Sequence, residues 1–396
     1  MVAVPKLSRR ARWAVPVGAL VVTGAVLAGS LISVAQASPG LPPRTAAQLL
    51  AQVAGSAAPP LTGTVVETTS LGLASLPGTS DPTSIAALLT GSHTVRVWYA
   101  GPRHFRLAVP EPLSETDVIA DGSTAWLWDS TANSVTEYTL PAQQGAPQPQ
   151  PTLALTPQQA ARLVLAAVGA TTTVRVDSNV TVAGQPAYDL VLAPKDSRSL
   201  VGQVQIAVDG RNGVPLQVQV YARGASSPAF AVGYTSIQFV NPAPADVSFT
   251  PPPGAQVTKV NLGAGQQSGP QPDISTIGSG WLTVLDLPAA GLTGPASDTT
   301  GPASDTTGTS DTTGTSAAGD SAAVLNALLR SATSASGAWG SGRLLRTSLI
   351  SVLITDSGRA FVGAVQPSVL YAAAGQAATG QAATGQAATG QAAPAP

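Results

Sequence analysis

The sequence predicts an α+β fold built on a large antiparallel sheet with helices on one side. Three observations predict it. Short segments with apolar residues at every second position recur between turn-forming Gly, Pro, Asn and Asp residues. These segments fall into two series. Each series is introduced by a segment whose apolar residues return at helical spacing, the arrangement of helices packed on one face of a sheet.

The 396-residue chain opens with Lys6, Arg9, Arg10 and Arg12, followed by an uncharged apolar run from Trp13 to Ala35 and by Ala35-Gln36-Ala37 before Ser38. Basic, apolar, then small-x-small is the order of an export signal over residues 1–37. At about 20 residues the run is also long enough to span a bilayer as an uncleaved signal anchor. Either way the basic flank stays cytoplasmic. Everything after Ala37 is then extracytoplasmic, secreted or anchored to the outer side of the cytoplasmic membrane. There is no cysteine, which excludes disulfides, a lipidated N-terminal cysteine, thiolate-bound zinc and iron–sulfur clusters. With a net charge of −1 and only 10% charged residues, no basic patch tracks a phosphate backbone, so nucleic acid is not an expected partner.

Pro42 and Pro43 precede the first helix, over Arg44–Ala54, with Leu49, Leu50 and Val53 on one face. Leu61–Leu71 reads as the first strand, and Ile85–Thr90 as a short helix in the Gly/Ser/Thr/Pro-rich loop that follows. His93–Leu140 carries the first series. In Thr94–Tyr99, Val95, Val97 and Tyr99 alternate with Thr94, Arg96 and Trp98; Arg103–Val109 returns with Phe105, Leu107 and Val109 on one face. Thr116–Ala120 and Thr124–Trp128 flank the Asp121-Gly122 hairpin turn, and Ser134–Leu140 closes the series. After the Gln/Pro-rich loop Pro141–Pro151, a second helix covers Pro157–Val168. Thr156 is its N-cap, Pro157 takes its first position, Gln159 reaches back in a capping box, and Leu163, Val164, Ala167 and Val168 form its stripe. The second series comprises Thr173–Val176, Asn179–Val182, Ala187–Ala193, Val201–Val208, Leu216–Ala222, Phe230–Ile237 and Val247–Phe249.

The main domain therefore spans 41–260. A further segment, 275–373, holds a strand at Gly278–Leu287, a short helix at Ala322–Leu329 and a hairpin of Arg343–Ile354 with Ala360–Val365. A near-perfect Asp/Thr/Gly repeat at 293–320 interrupts it, with almost nothing apolar to bury, so disorder is expected there and in the GQAAT tail over 374–396.

Chemistry is scarce. The two histidines, His93 and His104, read as solvated strand residues, and no HExxH, G-x-S-x-G or phosphate-binding glycine loop is present. Asp117, Asp121 and Asp129 fall at strand ends and turns. Asp177-Ser178-Asn179 lacks the Gly and the distal Glu of a calcium loop. No metal site or cofactor is expected. The aromatic residues carry more information: Trp98, Trp126 and Trp128 are three of the six tryptophans. Trp98 points away from Val97 and Tyr99, and Trp126 and Trp128 share a face. Two readings fit them, ordinary core under the helices or the lining of an apolar cavity between sheet and helices.

The pattern RVWYAGPRHFRLAV followed by DVIADGSTAWLWDSTANSVTEY resembles LolA-like proteins of actinobacteria, with LPPRTAAQLL, TPQQAARLVLAAV, LVGQVQIAVD, VPLQVQVYARG and GWLTVLDL as further matching pieces. GAWGSGRLLRTSLISVLITDSGRAFVGAV is similar to the C-terminal part of that group. The group belongs to the superfamily of the outer-membrane lipoprotein carrier, with the stress regulator RseB and mycobacterial lipid-binding lipoproteins. The resemblance implies a partly closed β half-barrel with helices across its concave face, no enzymatic activity, and an apolar cavity that takes the acyl chains of lipids or lipoproteins in a carrier or chaperone role. Val95, Val97, Trp98, Tyr99, Phe105, Leu107, Trp126, Trp128 and Leu163 are the cavity candidates. An arginine on the sheet holds the helical lid in the best-known carrier, and Arg96 and Arg106 are the candidates for that contact. The alternative is an RseB-like envelope-stress regulator that binds a membrane anti-sigma factor. A monomer is expected in either case.

Overall fold

The structure is a computed structural model that describes residues 40–55, 58–72, 90–140, 156–165, 169–261, 274–289 and 331–389. The expected export segment, the Gln/Pro-rich loop, the Asp/Thr/Gly repeat, the helix expected at 322–329 and residues 85–89 of the other expected short helix lie outside that set; Thr90 begins a strand. Among the described residues no helix is long and apolar enough to cross a membrane.

Nineteen strands form two sheets among the described residues. In the N-terminal half, β1 (Leu61–Ser70), β2 (Thr90–Gly101), β3 (His104–Pro110), β4 (Glu115–Asp121), β5 (Thr124–Asp129) and β6 (Ser134–Thr139) follow helix α1 (Ala46–Gly55). Helix α2 (Pro157–Leu165) then introduces β7 (Thr172–Val176), β8 (Val180–Val182), β9 (Gln185–Pro194), β10 (Val201–Asp209), β11 (Pro215–Ala222) and β12 (Phe230–Gln238). A single-turn helix α3 (Pro244–Val247) and β13 (Gln256–Asn261) complete the first sheet. Its order is β13-β6-β5-β4-β3-β2-β1-β12-β11-β10-β9-β7, with β8 beside β9. All pairs are antiparallel except β13–β6. The two series meet where β1 pairs with β12, and the ends of the row do not meet, so the sheet is a half-barrel that does not close.

The helices cover one face. Leu49 and Val53 of α1 and Ala160, Ala161 and Val164 of α2 join one core with Val65, Val95, Val97, Val218, Val220 and Val232. Each fully buried Val or Leu contributes roughly 1.5–3 kcal/mol. Both helices begin with reciprocal caps. Gln48 N–H donates to Thr45 Oγ1 (3.2 Å) while Thr45 N–H donates to Gln48 Oε1 (2.8 Å). Thr156 and Gln159 repeat the arrangement at 3.3 and 2.8 Å, which bears out the expected capping box. Gly63 permits the β1–β12 approach, since a Cβ there would lie 2.6 Å from the Ser236 carbonyl oxygen.

The second sheet has the order β14-β15-β19-β18-β17-β16. Its strands are β14 (Ser275–Ile277), β15 (Val284–Pro288), β16 (Thr333–Gly337), β17 (Gly340–Arg346), β18 (Ser351–Thr355) and β19 (Arg359–Gly363), and helix α4 (Pro367–Thr389) packs on it through Leu370, Ala373 and Ala374. The two sheets are fastened together. Leu200 N–H donates to Ala364 O (2.9 Å), Gln366 N–H to Arg198 O (2.8 Å), and Trp281 Nε1 to Thr172 Oγ1 (2.8 Å).

Several expectations are corrected. Val247–Phe249 is not a strand: Pro244 starts a helical turn that ends at Val247. Gly278–Leu287 is broken by a 3₁₀ turn at Gly280–Leu282, because Gly278 and Gly280 take positive φ angles of 83° and 58°. Arg343–Ile354 is two strands, separated where the Thr347 hydroxyl accepts from Leu349 N–H and Ile350 N–H. The GQAAT tail is helical as far as Thr389, since the buried first turns of α4 nucleate a run rich in Ala and Gln, good helix formers. His93 is not solvated; it is 1% exposed and faces Glu67 across β1–β2.

Candidate functional site

Strand register decides which side chains meet the helices. On the inner face, Val97 is opposite Leu107, Leu107 opposite Val118, and Val118 opposite Leu127. The next row runs Tyr99, Phe105, Ala120, Ala125, Tyr138. Val95 and Val97 are buried in the core shared with α1 and α2. Tyr99, Phe105, Leu107, Leu127 and Tyr138 are half-buried. An apolar strip thus continues along β2–β6 from the part of the sheet that the helices cover. Burial raises the Tyr99 hydroxyl above its usual 10.0, and the positive charge of Arg162 on α2 opposes the rise.

The outer face carries the other parity. Trp98 is opposite Arg106, Arg106 opposite Ile119, and Ile119 opposite Trp126; one row along, Asp117 is opposite Trp128. The three tryptophans are therefore neither core under the helices nor cavity lining between sheet and helices. They lie on the far side, where α3 packs over β2–β4 and Phe249 contacts the rings of Trp126 (5.9 Å) and Trp128 (6.1 Å). Asp117 is fully buried there. Arg106 binds Asp117 and Glu115 (3.1 Å to the latter) and lies 5.6 Å from the Trp98 ring centroid. Burial outweighs Arg106 and, with help from the neighbouring Glu115 charge, pushes the Asp117 carboxyl up to about 7.

Arg96 and Arg106 consequently lie on the face away from α1 and α2; both side chains project from the outer face, Arg96 into solvent and Arg106 onto Asp117. A cation–tyrosine contact runs in the opposite sense, from helix side to sheet. Arg44, just before α1, lies 5.5 Å over the Tyr188 ring, and the Tyr188 hydroxyl donates to Pro42 O at 2.6 Å. Sequence reasoning misses Arg44 and Tyr188, although Arg44 begins the first expected helix. Leu163 is only half-buried; the buried stripe of α2 is Pro157, Ala160, Ala161 and Val164, and 167–168 lie outside the described residues.

Among the described residues no group of three or more His, Asp or Glu is placed to hold a metal ion. A cleft of about 390 Å³ lies away from α1 and α2, between α4, the Ile277–Val284 turn and the loop bearing Arg198.

No family model matches the chain, and no curated protein does. Solved structures similar to it include the complex of Pseudomonas aeruginosa MucA and MucB, at 14% identity over 83% of this chain and 95% of that one, with a TM-score of 0.38. An uncharacterised conserved protein from Thermus thermophilus is 14% identical over 54% of this chain and 99% of that one, with a TM-score of 0.30. A LolA superfamily protein from Nitrosomonas europaea is 12% identical over 52% and 99%, with a TM-score of 0.21.

Proposed function

We propose that the chain binds acyl chains of lipids or lipoproteins on the outer side of the cytoplasmic membrane, without catalysis, as a carrier or chaperone. The observation that carries the reading is the half-buried strip of Tyr99, Phe105, Leu107, Leu127 and Tyr138, continuous with Val95 and Val97 beneath the helices. An alkyl chain laid along this strip needs no charged partner, since each buried methylene contributes about 0.8 kcal/mol. Arg44 on Tyr188 holds the helical cover through a side chain that re-hydrates readily on release. Trp98, Trp126 and Trp128 have no part in this site.

Native mass spectrometry of protein isolated from its host tests the reading. Acyl-bearing adducts are expected on the natural chain and should be depleted in a folded Leu107→Asp variant. A chain that is always free of lipid, or adducts unchanged by Leu107→Asp and Leu127→Asp, would refute it.

A further inference from the structure

The 390 Å³ cleft at the seam of the two sheets belongs neither to the inner strip nor to the outer cluster. Its volume falls within the range of small-molecule pockets, about 300–1,000 Å³. Ile277, Leu282, Val284, Val369 and Ala373 make its apolar wall, and Arg198, Ser368 and Gln376 its polar rim.

Both walls are pre-formed. On one side, Trp281 is buried in the core of the first sheet and donates to Thr172, which anchors the turn that presents Ile277 and Leu282. Gly278 allows that turn to close, since a Cβ there would lie 2.6 Å from Leu282 O at a φ of +83°. On the other side, Gln366 donates its backbone N–H to Arg198 O (2.8 Å) and its side-chain amide to Ser197 O (3.0 Å), so the start of α4 and the Arg198 loop are locked together.

The rim is charged asymmetrically. Asp196 accepts from Arg198 Nε and Nη2, and it is the acidic group of this loop. Arg223 reaches the same loop through Asp196 O (3.0 Å) and Ser199 O (2.9 Å). Two guanidinium groups against one carboxylate leave the loop with a net positive charge. Asp196 does not use Arg198 Nη1, which keeps its donors available to a second anion. The first turn of α4, with Ser368 and Val369 in the cleft, adds the positive end of a helix dipole.

An apolar slot with a guanidinium at its mouth matches an alkyl chain ending in an anion. We infer that this cleft is a second binding site, for a single-chain carboxylate amphiphile whose head meets Arg198 and whose chain lies against Ile277, Leu282 and Val369. It is independent of the inner strip, and its occupation bridges the two sheets.

The test uses the full chain with labelled Ile, Leu and Val methyl groups, titrated with decanoate, decanol and decyltrimethylammonium. Decanoate should shift the Ile277, Leu282, Val284 and Val369 methyls saturably. Decanol should do so more weakly and the cation least. Arg198→Gln should weaken decanoate by roughly tenfold or more while leaving decanol unchanged. Ala372→Phe, at an exposed position on the cleft wall, should weaken both. Equal affinity for decanoate and decanol, or indifference to Arg198→Gln, would overturn the inference, as would the absence of saturable shifts at these methyls. Shifts at Leu107 and Leu127 report the inner strip separately, so Leu107→Asp should abolish the Leu127 shift and spare the cleft.

Discussion

Asp117 puts a pH dependence on the outer face whose sign runs opposite to that of most carboxylates. Its side chain is fully buried, and burial raises its carboxyl from 3.8 to about 7 despite Arg106. Between those two values the unfolded chain has released the Asp117 proton while the folded chain still holds it. The folded state then binds more protons, so stability falls as pH rises. The contribution is complete below about pH 4 and is lost as pH passes about 7. At about 1.4 kcal/mol per pH unit, the window sets a ceiling of about 4 kcal/mol.

The informative perturbation is Asp117→Asn, which keeps the shape and removes the titration. Urea unfolding followed by tryptophan fluorescence suits it, because Trp128 is directly opposite Asp117 in the sheet. The natural chain should lose roughly 2–3 kcal/mol relative to the variant between pH 5 and pH 8. Asp189, whose carboxyl is also raised to about 6, first by burial and then by the Asp177 charge, has the same sign in both proteins and cancels from the difference. A natural chain that gains stability relative to Asp117→Asn over this interval, or a difference that does not change with pH, would refute the reasoning.

Tyr188→Phe removes the hydroxyl that donates to Pro42 O at 2.6 Å. It should cost about 1 kcal/mol and accelerate amide exchange in α1 more than in α2 or the strands; uniform acceleration would place the effect elsewhere. Gly63→Ala puts a Cβ 2.6 Å from Ser236 O and about 3.0 Å from the Tyr234 ring. It should lower the thermal midpoint by an amount equivalent to roughly 1–3 kcal/mol, and a melting curve identical to that of the natural chain would show that the β1–β12 approach tolerates a side chain.

What is legible in the sequence is local or strictly periodic. Thr156 and Gln159 are three residues apart, and their capping box forms as expected. The alternation through Val95, Val97 and Tyr99 places those side chains together, and Asp121-Gly122 turns the chain, with Gly122 at a φ of +64°. What is not legible depends on a partner far along the chain. Parity sets Trp98, Trp126 and Trp128 on the face away from the helices, yet only Val247 and Phe249 reveal what covers that face, and the Pro-bounded helical turn there has the apolar spacing of a strand. The segment QVTKVN has one exposed and one half-buried valine and no apolar alternation; its parallel pairing with β6 is a long-range choice that no local pattern announces. His93 looks solvated as a polar residue at a strand start, yet it shares the parity of Val95 and Val97 and is buried like them, opposite Glu67 in the register.

The two faces of β2–β5 are both apolar in part, and their covers differ in kind. The outer face is closed by α3 and by Phe249 on Trp126 and Trp128, above the contact of Arg106 with the fully buried Asp117. Lifting that cover trades aromatic packing for the hydration of the buried Asp117 carboxyl, whose charge state changes with pH, so its stability moves with pH. The inner face is covered by α1 and α2, with Arg44 on Tyr188, and the strip from Tyr99 to Tyr138 stays half-buried beyond the helices. A chain that slides in there meets apolar surface already partly free of water and displaces no buried charge. On the proposed reading the ligand therefore belongs to the parity of Val97 and Leu107, and a charge placed at Leu107 disturbs it where one placed at Arg96, which already projects into solvent, does not.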